Sequence, residues 1–145
     1  MPAAWFLNGP NANLYGLDAK GTYGRESWPQ LRERCLDVAA AHGLELDMRQ
    51  TNDEGELVTW IQQARSEAQG LLINAAGLSY TSVAVLDALL LFEGPVLEVH
   101  MSNIHRREPF RDRTFTSKGA KGGIFGLGAL GYELAVIAMA RLLSE

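Results

Sequence analysis

Short apolar runs alternate along this chain with longer amphipathic stretches, and no other property of the sequence restricts the fold so tightly. Strand-length apolar segments separated by helix-length ones argue for βαβ units and a parallel sheet. Residues 5–7 read as a first strand ending at Asn8-Gly9. Ser27 opens a helix, and Gln30 completes a capping box in which each side chain satisfies an amide at the helix end. Leu31, Cys35, Val38 and Ala39 recur at helical spacing, and Gly43 marks the stop. Residues 44–50 alternate as an edge strand does. Thr51 with Glu54 offers a second capping box, ahead of a buried stripe of Leu57, Ile61, Ala64 and Ala68.

Gly70–Asn74 is a short apolar run of the kind found in central parallel strands. A loop over 75–80 and a helix over 82–92 follow, then strands at 95–100 and Gly122–Phe125. A last helix begins near Leu130 and carries Leu134, Ile137, Ala138 and Leu142. The pattern predicts an α/β fold, a flavodoxin-like open five-stranded parallel sheet with helices on both faces. Only 102–121 shows no clear element, and so long a stretch in a compact domain is more often functional than idle.

The 145 residues fit a single domain, 1–145, since domains usually run about 100–200 residues. Cys35 is the lone cysteine, so no internal disulfide forms, and a reducing cytoplasm is the expected location. Its place in a helical apolar stripe suits a small buried hydrophobe rather than a nucleophile. The N-terminus lacks a basic leader region, and no stretch approaches the roughly 20 apolar residues of a membrane span. A net charge of −4 gives no pull towards nucleic acid or anionic lipid. The richest basic stretch, Arg106, Arg107, Arg111 and Arg113, is broken by Glu108 and Asp112 and suits a ligand-facing or solvated loop.

No metal site is expected, because His42, His100 and His105 have no partners at zinc-like spacing. Gly126-Leu-Gly128-Ala-Leu-Gly131 matches a dinucleotide fingerprint, but the 14 residues after Gly131 leave no room for the second strand and its acidic residue. A tight strand-to-helix turn accounts for it better, and no nicotinamide cofactor is expected.

Ligands of open parallel sheets bind beyond the carboxyl ends of the strands. Those ends read Asn8-Gly-Pro-Asn11, Gln50-Thr-Asn-Asp53, Asn74-Ala-Ala-Gly-Leu-Ser79-Tyr80 and Glu98-Val-His100-Met-Ser102-Asn103. Amides and hydroxyls fix a polar ligand directionally, which points to a small, hydroxyl-rich, neutral or anionic molecule. Glu98 and His100 leave the same face of a strand. A carboxylate there would fix the imidazole tautomer and raise its basicity, as proton transfer requires.

Further segments complete a pattern: Asn8-Gly-Pro-Asn11-Ala-Asn13-Leu, Tyr23-Gly24, Arg49-Gln50-Thr-Asn52, Glu98-Val-His100-Met-Ser102-Asn103-Ile-His105, Arg107-Glu108-Pro-Phe-Arg111 and Gly126-Leu-Gly128-Ala-Leu-Gly131-Tyr. Together, and in order over nearly the whole chain, they resemble type II 3-dehydroquinate dehydratase. The resemblance implies a cytoplasmic enzyme of the shikimate or quinate pathway, without cofactor, built of trimers that form a dodecamer. It implies reversible anti elimination of water from 3-dehydroquinate, giving 3-dehydroshikimate through an enolate. By position, Tyr23 is the phenolate base that takes the C2 proton, and His100, oriented by Glu98, protonates the departing C1 hydroxyl. Asn11 holds a water that stabilises the enolate. Asn74 and Arg111 grip ring hydroxyls, Ser102 with the adjacent backbone amides takes the carboxylate, Asn103 is counted among the substrate-binding residues, and Asp87 reaches a neighbouring subunit's site.

Four places depart from the family. Asp18 stands where a lid arginine is usual, Tyr80 where a substrate-binding histidine is, and Leu86 where an arginine is, and residues 114–118 differ as well. A free phenol titrates near pH 10, so a phenolate base needs a cation close by; Lys20, Arg25 and Arg111 are the candidates. These departures keep two other readings open: a paralogue with altered substrate, and a non-catalytic protein that binds carboxylate polyols.

Overall fold

A computed structural model describes residues 1–17 and 20–145. Five parallel strands, β1 (Ala3–Asn8), β2 (Glu45–Gln50), β3 (Gly70–Asn74), β4 (Val96–His100) and β5 (Gly122–Phe125), form one sheet in the order β2-β1-β3-β4-β5. Four α-helices connect and close it: α1 (Trp28–Ala41), α2 (Glu54–Glu67), α3 (Val83–Leu90) and α4 (Gly128–Ser144). Side chains of a strand alternate between faces, and β1 divides accordingly. Ala4 and Phe6 join Leu31, Cys35, Val136 and Met139 under α1 and α4, while Trp5 and Leu7 join Leu57, Ile61, Val85 and Leu89 under α2 and α3. Helices therefore cover both faces, as the alternation predicts. No helix among the described residues is long and apolar enough to cross a membrane.

The local signals hold at α1, where the Ser27 hydroxyl accepts from the Gln30 amide and the Gln30 side chain accepts from the Ser27 amide. At α2 the cap is not Thr51 but Asp53, whose carboxylate accepts from the Glu56 amide at 3.2 Å. Thr51 is still tied to the sheet, its amide donating to the Asn8 carbonyl, so the chain cannot turn into a helix there. Its hydroxyl instead accepts from the Asp53 amide.

The last helix starts at Gly128, two residues ahead of the expected Leu130, and is rotated from the expected stripe. Tyr132, Ala135, Val136, Met139 and Ala140 face the core, whereas Leu130 and Leu134 are exposed. Small residues explain the choice. A Cβ on Gly131 would come within 3.3 Å of Ile124, so glycine and alanine let the helix lie close to the sheet while Tyr132 fills the interior. The glycine run is the expected strand-to-helix turn, with Gly126 and Gly128 at φ 87° and 61°, left-handed values that glycine adopts without strain. Residues 102–121 are not featureless: they hold three turns of 3-10 helix, Ile104–Arg106, Pro109–Asp112 and Thr116–Gly119, the last packed against α3 and β4.

Candidate active site

From β1 the chain steps first to one side, to β2, and then reverses to β3, β4 and β5. Such a reversal opens a crevice at the carboxyl ends of the two central strands. A cleft of about 170 Å³ lies there, lined by Asn11, Tyr15, Tyr23, Asn74, Tyr80, His100, Ser102, Arg107 and Arg111 among others. Its volume is below the roughly 300–1,000 Å³ of sites for drug-sized ligands, so it suits a small molecule.

Its floor is a buried polar network. Asn8 and Asn74 are register partners on β1 and β3. Asn74 donates to the hydroxyls of Tyr15 (2.9 Å) and Tyr132 (2.7 Å), and Tyr132 donates to the Asn8 carboxamide oxygen at 2.7 Å. Burial pushes the Tyr15 phenol up to about 12, against partial relief from hydrogen bonds with Tyr132 and Asn74. Burial pushes Tyr132 well above the ordinary range as well. Both are neutral hydroxyls at physiological pH. Both amide hydrogens of Asn74 are thus committed inside, and its oxygen accepts from the Ala76 amide at 3.0 Å with a second lone pair left over.

Above the floor stands Tyr23. Its ring stacks on Tyr15, centroids 5.5 Å apart, and its hydroxyl accepts a 3.1 Å hydrogen bond from the Arg107 guanidinium. The same guanidinium nitrogen donates to the Ser102 hydroxyl at 3.0 Å. Arg107, visible in the sequence only as one of a basic stretch suited to a ligand-facing or solvated loop, is thus the cation at the phenol. Of the expected cations only Arg111 lines the cleft, on the Tyr80 side; Lys20 and Arg25 do not, and Asp18 lies outside the described residues.

At the end of β4 the His100 Nε2 lies 3.1 Å from a carboxylate oxygen of Glu98, both side chains being buried. The approach is too oblique to satisfy the ring nitrogen with a well-aligned bond. Two threonine hydroxyls hold the same oxygen, Thr114 at 2.7 Å and Thr116 through a short contact. Burial alone would push the Glu98 carboxyl up, but His100, Thr116 and Thr114 outweigh it and hold the pKa below the ordinary value. Glu98 is therefore a carboxylate at neutral pH. Residues 114–118, where the chain departs from the family, thus include two of the partners of Glu98.

Tyr80 is half-buried, edge-on to Phe110, and 6.4 Å from the His100 ring. The Arg111 guanidinium lies 5.1 Å from the Tyr80 centroid and 4.9 Å from that of Phe110, and its Nε donates to Glu108 at 3.1 Å. Asn11 has a left-handed backbone (φ 74°), which asparagine tolerates, and the Asn52 carboxamide steadies it by accepting from its amide at 2.9 Å. The Asn103 carboxamide caps the next turn through the His105 amide, and the residue does not line the cleft. Asp87 is exposed on α3, away from this chain's own cleft.

Gly9 joins the two central strand ends, its amide donating to the Asn74 carbonyl at 2.8 Å. A Cβ there would meet the Ala75 carbonyl oxygen at 2.5 Å, backbone against side chain. Gly9→Ala is expected to pry β1 from β3 and to cost about 1–3 kcal/mol in a urea unfolding midpoint. An unchanged midpoint would contradict this packing.

The cleft thus sets a cation-held phenol and a carboxylate-backed imidazole around one small polar space, an arrangement suited to moving two protons on a polar ring. A family model described as dehydroquinase class II matches residues 3–140. The chain is 49% identical over 144 residues to 3-dehydroquinate dehydratase 2 of Pseudomonas putida, covering 99% of this chain and 97% of that one. It is 49% identical over 137 residues to 3-dehydroquinate dehydratase of Streptomyces coelicolor, covering 94% and 87%. The crystal structure of type II dehydroquinase from Propionibacterium acnes superposes with a TM-score of 0.93 at 36% identity, covering 97% of each chain. Matched along nearly its whole length in sequence and in fold, this chain belongs to the class II dehydroquinase family.

Proposed function

We propose that the chain is a 3-dehydroquinate dehydratase that eliminates water reversibly from 3-dehydroquinate by an anti, enolate route. The observation that carries this reading is the Arg107–Tyr23 hydrogen bond, which supplies the positive charge a phenolate needs at a residue where no lid arginine stands. The Tyr23 phenolate takes the C2 proton, and the electron pair moves into the C3 carbonyl to give the enolate. The enolate then re-forms the carbonyl, the C1 hydroxyl leaves with a proton from His100 as water, and the C1–C2 double bond remains. Glu98, 3.1 Å from the ring, sets its orientation.

Asn11 holds the water that meets the enolate oxygen. Ser102, which Arg107 bonds, forms the carboxylate end with Arg107. Arg111, Tyr80 and the spare lone pair of Asn74 meet the ring hydroxyls. The protein acts as a homo-oligomer, a dodecamer built of four trimers. On α3 and at its C-cap, Val83, Leu90 and Leu91 are exposed around Asp87 at helical spacing, an apolar face with one carboxylate that suits a neighbour's cleft. Purified protein given 3-dehydroquinate is expected to develop the ultraviolet absorbance of a conjugated enone. No signal over a broad pH range would overturn the proposal, and tight binding without turnover would favour the carboxylate-polyol binder.

A further inference from the structure

Tyr15 takes no part in the elimination described above, yet it stands between the sheet and the base. It follows the turn Ala12–Leu14, is 5% exposed, and takes the Asn74 hydrogen bond on its hydroxyl. Through Asn74 and Tyr132 it is tied to Asn8 on β1, and Tyr132 itself stacks on Phe6 with centroids 4.7 Å apart. Tyr15 is thus as firmly anchored as a strand residue, although it lies in a loop.

Tyr23 has no such footing of its own. It belongs to a stretch without helix or strand, between Gly21 and Gly24, both at positive φ (67° and 82°) and both with open space where a side chain would be. Glycines of that kind leave the backbone many alternatives. Two directional contacts orient the Tyr23 phenol, the Arg107 bond at its oxygen and the Tyr15 stack at its ring, planes 25° apart. Arg107 is itself a long side chain on a loop, so the rigid partner is Tyr15.

Resting on the reading of Tyr23 as the base, we infer that Tyr15 is its positioning residue: a ring pinned by Asn74 that sets the height and tilt of the Tyr23 ring over the cleft. A flat aromatic face does this through an offset stack, which fixes orientation as well as distance. Proton transfer is sensitive to that geometry, and a misplacement of about 1 Å costs on the order of 100-fold in rate.

Tyr15→Leu and Tyr15→Phe, assayed with 3-dehydroquinate, test the inference. Leucine removes the flat face and is expected to lower kcat roughly 10- to 100-fold with KM changed less than about three-fold; phenylalanine keeps the face but gives up the Asn74 bond, and its loss is expected to be several-fold smaller. A merely structural role would lower the folded fraction and leave that split unmoved. A second readout does not depend on turnover. NMR of ring-labelled tyrosine should find the Tyr23 signals shifted upfield by the neighbouring ring in wild type and Tyr15→Phe, and released in Tyr15→Leu. Tyr15→Met, a flexible side chain without a flat face, takes the place of leucine if that variant does not fold. Wild-type kcat in the leucine variant, equal losses in both variants, or Tyr23 signals indifferent to the change would overturn the inference. Should the wild type itself not turn over, the assignment of Tyr23 as base fails separately, and the NMR arm still decides whether Tyr15 places its ring.

Discussion

Tyr23→Phe folds as the wild type does and loses turnover by a factor of about 10³. The ring, its stack on Tyr15 and its half-buried seat are kept, so the loss is that of the proton acceptor alone. General bases contribute about 10²–10⁴-fold, and the expected loss falls in that range. Arg107→Gln is expected to cost about 10²-fold, the loss seen when a donor to a developing or resident oxyanion is removed. The double variant should be little worse than Tyr23→Phe alone, because the two side chains act as one unit and their effects do not add.

Lys20→Ala and Arg25→Ala should leave kcat within about three-fold, since neither lines the cleft. A large loss on changing either one, with Arg107→Gln near wild type, would move the activating charge to the lid and remove Arg107 from the account.

Which of these features could be read in advance depended on the range over which each was decided. Gly70–Asn74 and Gly122–Phe125 are bounded by turn residues, and the Ser27–Gln30 box closes within one turn, so local sequence suffices for them. The α2 cap is different: Thr51 and Asp53 are both good caps, and the choice is made by the Asn8 carbonyl on another strand. In α4 the sequence offers two apolar stripes, and close contact of Gly131 with the sheet selects between them.

The site divides in the same way. Glu98 and His100 are visible as a pair because strand periodicity puts them on one face. The Arg107–Tyr23 bond spans 84 residues and the Asn74–Tyr15 bond 59. Loops carry Tyr15, Tyr23 and Arg107, and their paths follow from the finished fold rather than from any periodicity. Thr114 and Thr116 carried no readable signal either, since a threonine in a connecting segment is ordinary until the carboxylate it serves is in place.

That carboxylate yields the second large effect. Glu98→Ala is expected to destabilise the protein by about 3 kcal/mol and to lower kcat at least about 10²-fold. One oxygen accepts from Thr114 and Thr116 and lies against His100, all of them buried, and each donor left without a partner costs about 1–3 kcal/mol. Glu98→Gln separates the charge from the hydrogen bonds, since it keeps an acceptor for a threonine but loses the anion that stabilises a protonated His100.

The acid limb of stability then distinguishes the two roles. Burial works to raise the Glu98 carboxyl, but His100, Thr116 and Thr114 bring it below its unfolded value. A group lowered in this way stabilises the fold fully above its unfolded pKa, about 4.3, and loses that contribution as pH falls through the folded value. Wild type should therefore weaken more steeply below about pH 4 than Glu98→Gln does, which has no proton to bind there. Urea midpoints taken from neutral pH downward would show the two curves converging in acid. Parallel curves would mean that the carboxylate is not held by the threonines and the imidazole, and the orientation of His100 would then need another cause.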